Sequence, residues 1–320
     1  MSQSKLSIHR RLVGALAVVC IAAVYVKADE SGTVKRDGLH EPVYRVSKHP
    51  DPAKLEESTV RQDAVTRTTS VPARSVKVSD SPSRKPHPLD DALEMAHASL
   101  NHIDLHVKDY TCTLVKRERI NGRLLPHEFM TCKIRNERSD GTPFSVYMKF
   151  TNPSSVRGRE VIYVQGENDG NMVAHEGGFK SFLPTVTLKP DGALAMRNQR
   201  YPVTEVGLRT LTERLIEKGN RDRELGPCTV KILSGAKVAK RPCTCIEVRH
   251  DERKPQLDFH VARVFVDSEL NVPIRYEAYE WPSRPGGEME LIEEYSYIDL
   301  KLNVGLTDED FDQNNSQYNF

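Results

Sequence analysis

Hydrophobic and polar positions alternate along most of the second half of the chain. Between residues 260 and 266, Val261, Arg263 and Phe265 fall on one face, and His260, Ala262, Val264 and Val266 on the other. Asp267, Ser268 and Glu269 break the pattern, and Pro273 opens a second alternating run, Ile274, Tyr276 and Ala278 against Arg275, Glu277 and Tyr279. A turn at 282–287 leads to Met289, Leu291, Glu293, Tyr295 and Tyr297. Period two with turn residues between the runs predicts an antiparallel meander. Further strands are expected at 110–118, 128–136, 144–150, 160–165, 172–175, 228–233 and 240–249. Phe144, Val146, Met148 and Phe150 make the clearest run of apolar groups on one face.

Two stretches follow the helical period instead. Leu89, Leu93, Ala96, Leu100, Ile103 and Val107 form an apolar stripe on a helix expected from Pro88 to Lys108, with Asp90, Asp91 and Glu94 in its first turns. Leu208, Leu211, Leu215 and Ile216 mark a second helix, with Thr204 as its expected N-cap, Val203 and Leu208 as a hydrophobic staple and Gly219 as its stop. Helix, about five strands, helix and about five strands describe a single α+β domain dominated by an antiparallel sheet.

The first 87 residues read differently. Lys5, Arg10 and Arg11 precede an apolar run at 12–26, shorter than the roughly 20 residues of a bilayer span, and Val26-Lys27-Ala28 suits cleavage. Residues 1–28 are expected to be a secretory signal peptide, with an uncleaved N-terminal anchor as the alternative. Residues 29–87 carry scattered charges, repeated prolines and one aromatic, Tyr44, and are expected to be a disordered polar linker. The folded domain is expected at 88–312, with 313–320 as a C-terminal tail and the acidic residues around Asp308 in solvent.

Export gives the cysteines meaning. Cys112 and Cys132 lie almost symmetrically about Asn121-Gly122, and Cys228 and Cys243 about Gly235-Ala236. If both stretches are hairpins, each pair is a disulfide candidate; otherwise these are buried thiols. Cys245 is the spare. With 46 basic and 45 acidic side chains, a net charge of +1 argues against a nucleic-acid partner.

No nucleotide loop, CxxC or nucleophile elbow is present. His102 and His106 have a metal-compatible spacing without the Glu and third ligand of a zincin. His175-Glu176-Gly177-Gly178 is similar to an oxyanion-hole loop but better suits a strand end. Asp308, Glu309, Asp310 and Asp312 lack calcium-loop spacing. No catalytic residue, metal site or cofactor is assigned.

The stretches VYMKFTNPSSVRGREVIYVQGENDGNMVAHEGG and RYPVTEVGLRTLTERLI, with the Pro190-Asp191-Gly192 turn, resemble the bacterial secreted family called domain of unknown function 1571 across almost all of 88–311. VFVDSELNVPIRYEAYEW and ELIEEYSYIDLKLNVGLTDEDFD resemble, more distantly, the closing strands of the LolA/LolB-like periplasmic lipoprotein carriers. That resemblance implies a curved antiparallel sheet, a LolA-like half-open β-barrel, with the two amphipathic helices packed at its mouth. It implies a non-catalytic protein of the periplasm or cell envelope that holds lipid or lipoprotein acyl chains in an apolar cavity. Phe144, Val146, Met148, Phe150, Tyr163, Leu208, Leu211, Leu215, Phe265 and Tyr276 are the cavity candidates. The expected partner is a lipid or acylated protein, with an envelope protein as a further candidate and membrane contact only through an uncleaved N-terminus. A structural or scaffolding protein with a filled core is the alternative. A hydrolase or metal-dependent enzyme using His175, Glu176 and Asp169 is the second.

Overall fold

The structure is a computed structural model that describes residues 86–320 and the backbone strand β1 (Tyr44–Arg45). The expected signal segment and nearly all of the expected linker lie outside the described residues. Tyr44 and Arg45 pair with Val238 and Lys237, so two residues of the stretch read as unstructured add to the edge of the sheet.

The chain enters the domain through helix α1 (Asp90–His106). Asn136 Nδ2 and Asn303 Nδ2 donate to the carbonyls of Val107 and His106 at its C-terminal end, at 2.9 and 2.8 Å. These bonds satisfy carbonyls that a helix end leaves free, and they tie α1 to the sheet. Strand β2 (Asp109–Ile120) follows and turns at Asn121-Gly122, both at positive φ, into the short β3 (Arg123–Leu124). Then come β4 (Glu128–Arg135), β5 (Ser145–Asn152), β6 (Glu160–Val164), β7 (Met172–His175) and β8 (Val186–Leu188). Helix α2 (Leu208–Leu225) crosses over to β9 (Thr229–Val238), β10 (Arg241–Arg249), β11 (Val261–Asp267), β12 (Pro273–Tyr279) and β13 (Leu291–Leu302).

All pairings are antiparallel, in the order β1-β9-β10-β11-β12-β13-β2-β4-β5-β6-β7-β8, with β3 pairing β2 off this path. The sheet is open, ending at β1 and β8. Its two meanders meet where β13 pairs with β2, so the last strand and the first long one are neighbours at its centre. Because alternate residues share a face, the register assigns rows. Cys112, Cys132, Met148, Val161 and Ala174 are consecutive partners across β2, β4, β5, β6 and β7. With Met130, Ile134, Val146, Phe150 and Tyr163 they form the main buried cluster, together with Ile103 and Leu208 from the helices.

Helix α2 departs from the expectation at both ends. Val203–Glu205 is a separate 3-10 turn, and Gly207, at φ 127°, is the N-cap. Its exposed N–H groups are met from the sheet. The hydroxyl of Tyr110 accepts from Leu208 N at 2.8 Å, and that of Tyr297 from Gly207 N at 3.2 Å. At the other end the helix runs through Gly219 to Leu225. A Cβ at Gly219 would stand 2.8 Å from Leu93 Cδ2, so this glycine is a close-approach point between α1 and α2 rather than a stop.

The five described cysteines are all free thiols. Cys112 and Cys132 are direct cross-strand partners, and their contact and burial push the Cys112 thiol well up. Cys228 and Cys243 are not partners. The β9–β10 turn lies at Ala239-Lys240, both at positive φ, so Cys243 faces Ala236 and Cys228 precedes the strand. The symmetry read about Gly235-Ala236 placed the turn too early.

Asp308, Glu309 and Asp312 are exposed, but the stretch that carries them packs on the sheet. Phe311 is buried with Tyr147, Ile162 and Val164 on the opposite face from the Val146/Met148 row. Tyr318 stacks on Tyr147 at 4.0 Å. Lys133 Nζ donates to Asp310 Oδ1 at 2.7 Å and to Tyr318 at 2.9 Å, and Asn319 Nδ2 donates to Glu160 at 2.9 Å. Residues 308–320 therefore cover part of the sheet's second face.

Candidate functional site

One half of the inward sheet face is covered by helices and encloses a cavity of about 80 Å³. Its roof is α1, through Leu89, Ala92, Leu93, Met95 and Ala96, and α2, through Leu215 and Gly219. Its floor is Ile246 and Val248 on β10, Ala262 and Val264 on β11, and Tyr276 on β12. The floor follows from register. Val248, Ala262 and Ala278 are consecutive partners, as are Ile246, Val264 and Tyr276.

The same two rows continue into charge. Beyond Ala278 the row reads Glu293 and Glu118, and beyond Tyr276 it reads Tyr295 and Lys116. Glu118 and Glu293 are 4% and 2% exposed, so their charges need partners. Lys116 Nζ lies 3.2 Å from both Glu118 and Glu128 and also donates to Gln199. Tyr295 donates to Glu118 at 2.6 Å. Arg200 Nε donates to Glu293 at 2.6 Å, and the Tyr201 hydroxyl donates to it at 3.1 Å. Residues 199–201 are thus pinned over β2 and β13. Burial and the nearby Glu293 push the Tyr201 and Tyr276 hydroxyls upward, keeping both protonated.

A second cavity, of about 130 Å³, lies at the start of α2 and is lined by Asn136, Phe144, Gln165, Val206 and Arg209 among others. The candidates read from sequence divide accordingly. Leu215 and Tyr276 line the first cavity and Phe144 the second. Val146, Met148, Phe150, Tyr163, Leu208 and Phe265 are buried in the main cluster, and Leu211 packs against it. The α1 residues of the roof belong to the stripe visible in the sequence. The signal for the polar end was also visible: Lys116 and Glu118 continue the inward row of Cys112 and Leu114.

The chemistry considered for an enzyme is dispersed. His175 shares a hydrogen bond with Thr185 at 3.0 Å, Glu176 pairs with Arg159 at 2.8 Å, and Asp169 sits in a turn at positive φ. Among the described residues no three His, Cys, Asp or Glu side chains are grouped to hold a metal. No helix among them is long and apolar enough to cross a membrane.

A family model described as "Protein of unknown function (DUF1571)" matches residues 107–320, from the end of α1 to the last residue. The chain belongs to this family. The DUF1571 match includes the C-terminal residues that pack on the sheet. No curated protein matches the chain. Among solved structures it is similar to a putative outer membrane lipoprotein-sorting protein domain from Vibrio parahaemolyticus, at 14% identity and a TM-score of 0.35, over 69% of this chain and 96% of that one. It is similar to the LolA superfamily protein NE2245 from Nitrosomonas europaea, at 14% identity and a TM-score of 0.26, over 68% and 97%. It is also similar to the MucA/MucB complex of Pseudomonas aeruginosa, at 17% identity and a TM-score of 0.37, over 69% and 60%.

Proposed function

We propose that this DUF1571 protein is exported to the cell envelope and binds a lipid or lipoprotein acyl chain, without catalysis, in the cavity between α1, α2 and β10–β12. The cavity carries the reading: about 80 Å³ lined mainly by apolar side chains, with Ser99, Thr212, Lys218, Asp222 and Tyr276 as its polar members. An acyl chain gains roughly 0.8 kcal/mol for each CH₂ it buries. In this reading the two helices form the mouth, where Leu93 packs beside Gly219. Residues 1–28 direct or anchor the chain, and 29–87 are its spacer. In an oxidising compartment the facing Cys112 and Cys132 are the pair placed to bridge.

Native mass spectrometry with lipid extraction on the full-length protein from an envelope fraction tests this. The expected result is a bound acyl species that Leu93→Asp or Val264→Asp releases. A lipid-free mass, with no uptake of a fluorescent fatty acid, overturns it.

A second reading, a scaffold with a filled core, is favoured by the other half of the sheet. There Ala195, Val203 and Val206, outside the two helices, pack against the Met148 and Phe150 cluster.

A further inference from the structure

The polar groups lining the apolar cavity are few, and their bonds can be traced. Ser99 Oγ donates to Asn271 O at 2.9 Å, and Thr212 Oγ1 to Leu208 O at 2.7 Å. Lys218 pairs with Asp258 at 3.2 Å. Asp222 holds Arg221 at 2.9 Å and His250 at 3.2 Å. The remaining one is Tyr276. It is 4% exposed, and its hydroxyl has no hydrogen-bond partner. A buried hydroxyl left unpaired is costly, so an occupant that pairs with it gains on that account.

We propose that the Tyr276 hydroxyl is the head-group anchor of the cavity and that it selects an uncharged oxygen function, an ester, amide or alcohol at the end of an acyl chain, over a free carboxylate. The inference rests on the acyl-chain reading above and adds the class of head group. The selection comes from the cost of placing a charge in this buried site. Glu293 and Asp258 are the carboxylates that act on the hydroxyl, with Arg200 as the opposing cation. Arg200 is committed to Glu293 at 2.6 Å. Asp258 is shared between Lys218 at 3.2 Å and Arg221 at 3.1 Å. A carboxylate brought to Tyr276 would find these cations already engaged and would pay the cost of leaving water without a partner of its own. An ammonium head would face the desolvation cost of a charge in an apolar cavity. A neutral oxygen accepts a hydrogen bond from the phenol without that cost. The position fits, because Tyr276 is the floor residue whose row runs into Tyr295 and Lys116, where the apolar floor ends.

The test uses full-length protein stripped of lipid and four probes of equal chain length: hexadecane, hexadecanol, methyl hexadecanoate and hexadecanoic acid. Competition against a fluorescent acyl reporter gives the affinities. The ester and the alcohol are expected to bind about tenfold more tightly than hexadecane, and the acid more weakly than the ester. Tyr276→Phe is expected to remove the advantage of ester and alcohol while leaving hexadecane within about threefold. Its melting temperature, without lipid, is not expected to fall, because it removes an unpaired group. Preference for the acid in the wild type, or an ester advantage that survives Tyr276→Phe, overturns the head-group assignment while the acyl cavity stands. Failure of all four probes, hexadecane included, overturns the cavity reading and this inference with it.

Discussion

Ala262 sits at the centre of the cavity floor, between Val248 and Ala278 in register and beneath α1 and α2. Replacing it with leucine adds three carbons that point toward the roof. On the measure used for protein cavities one water needs roughly 10–15 Å³, so about 80 Å³ is space for several. If the space is open, the added carbons replace nothing and bury themselves at roughly 0.8 kcal/mol each. Allowing for lost rotamer freedom of about 0.5–1 kcal/mol for the leucine, Ala262→Leu should stabilise the fold by about 1–2 kcal/mol. For a domain of this size that raises the melting temperature by about 2–8 °C. Acyl uptake should fall at the same time, because side chain and ligand compete for one volume. Urea or thermal unfolding, read beside uptake of a fluorescent fatty acid, measures both. A loss of 1–3 kcal/mol, the ordinary cost of overpacking, would refute the reasoning, since it would mean the residues around Ala262 leave no usable space.

Four further outcomes follow from the same geometry. Tyr110→Phe removes the acceptor for Leu208 N and should cost about 1–3 kcal/mol in urea unfolding, because it strands a buried N–H at the start of α2. Deleting 313–320 exposes Tyr147 and Phe311 and removes the Tyr318 stack, and should cost at least about 1.5 kcal/mol; an unchanged melt would show that this segment contributes nothing to the fold. A thiol reagent added to native protein should label Cys228 first and slowly, since it is the most exposed described cysteine and burial pushes its thiol up to about 11; peptide mapping identifies the site. Asp90 is held at about 2, first by the hydrogen bond from Arg223 and then by the backbone N–H of His87. A carboxyl lowered on folding contributes stability that is complete above its unfolded value near 4 and is lost as pH falls through the folded value, so Asp90→Asn should flatten the acid limb between about pH 4 and 2.

The sequence by itself determined the local elements. Alternation placed β4 to β7 and β10 to β13 within a few residues and the start of β9, but not the short β8, because a side-chain period of two is a property of the extended backbone alone and shows only in runs long enough to repeat it. The stripe from Leu89 to Val107 placed α1, and Asn121-Gly122 placed a tight turn, because positive φ is a requirement on the residues themselves. The DUF1571 assignment was also legible, from stretches spread over the whole domain.

Tertiary structure decided what depends on residues far apart in the chain. Gly219 read as a helix stop because stops favour glycine; it continues a helix because Leu93, more than a hundred residues away, needs the space. Thr204 read as a cap because its side chain is of the right kind, but Tyr110 and Tyr297 meet the N–H groups of α2 instead. The pairing of β13 with β2 put Glu293 beside Glu118 and made their burial tolerable only with Arg200 and Lys116 at hand. Apolar candidates such as Met148 and Phe150 could be named from the sequence as inward-facing. Which half of the inward face is filled, and which lies beneath two helices with space between, was settled by how the chain crosses from β8 to β9. That crossing carries α2 onto β10–β12, against α1 and above small residues such as Ala262, and the space lies between them.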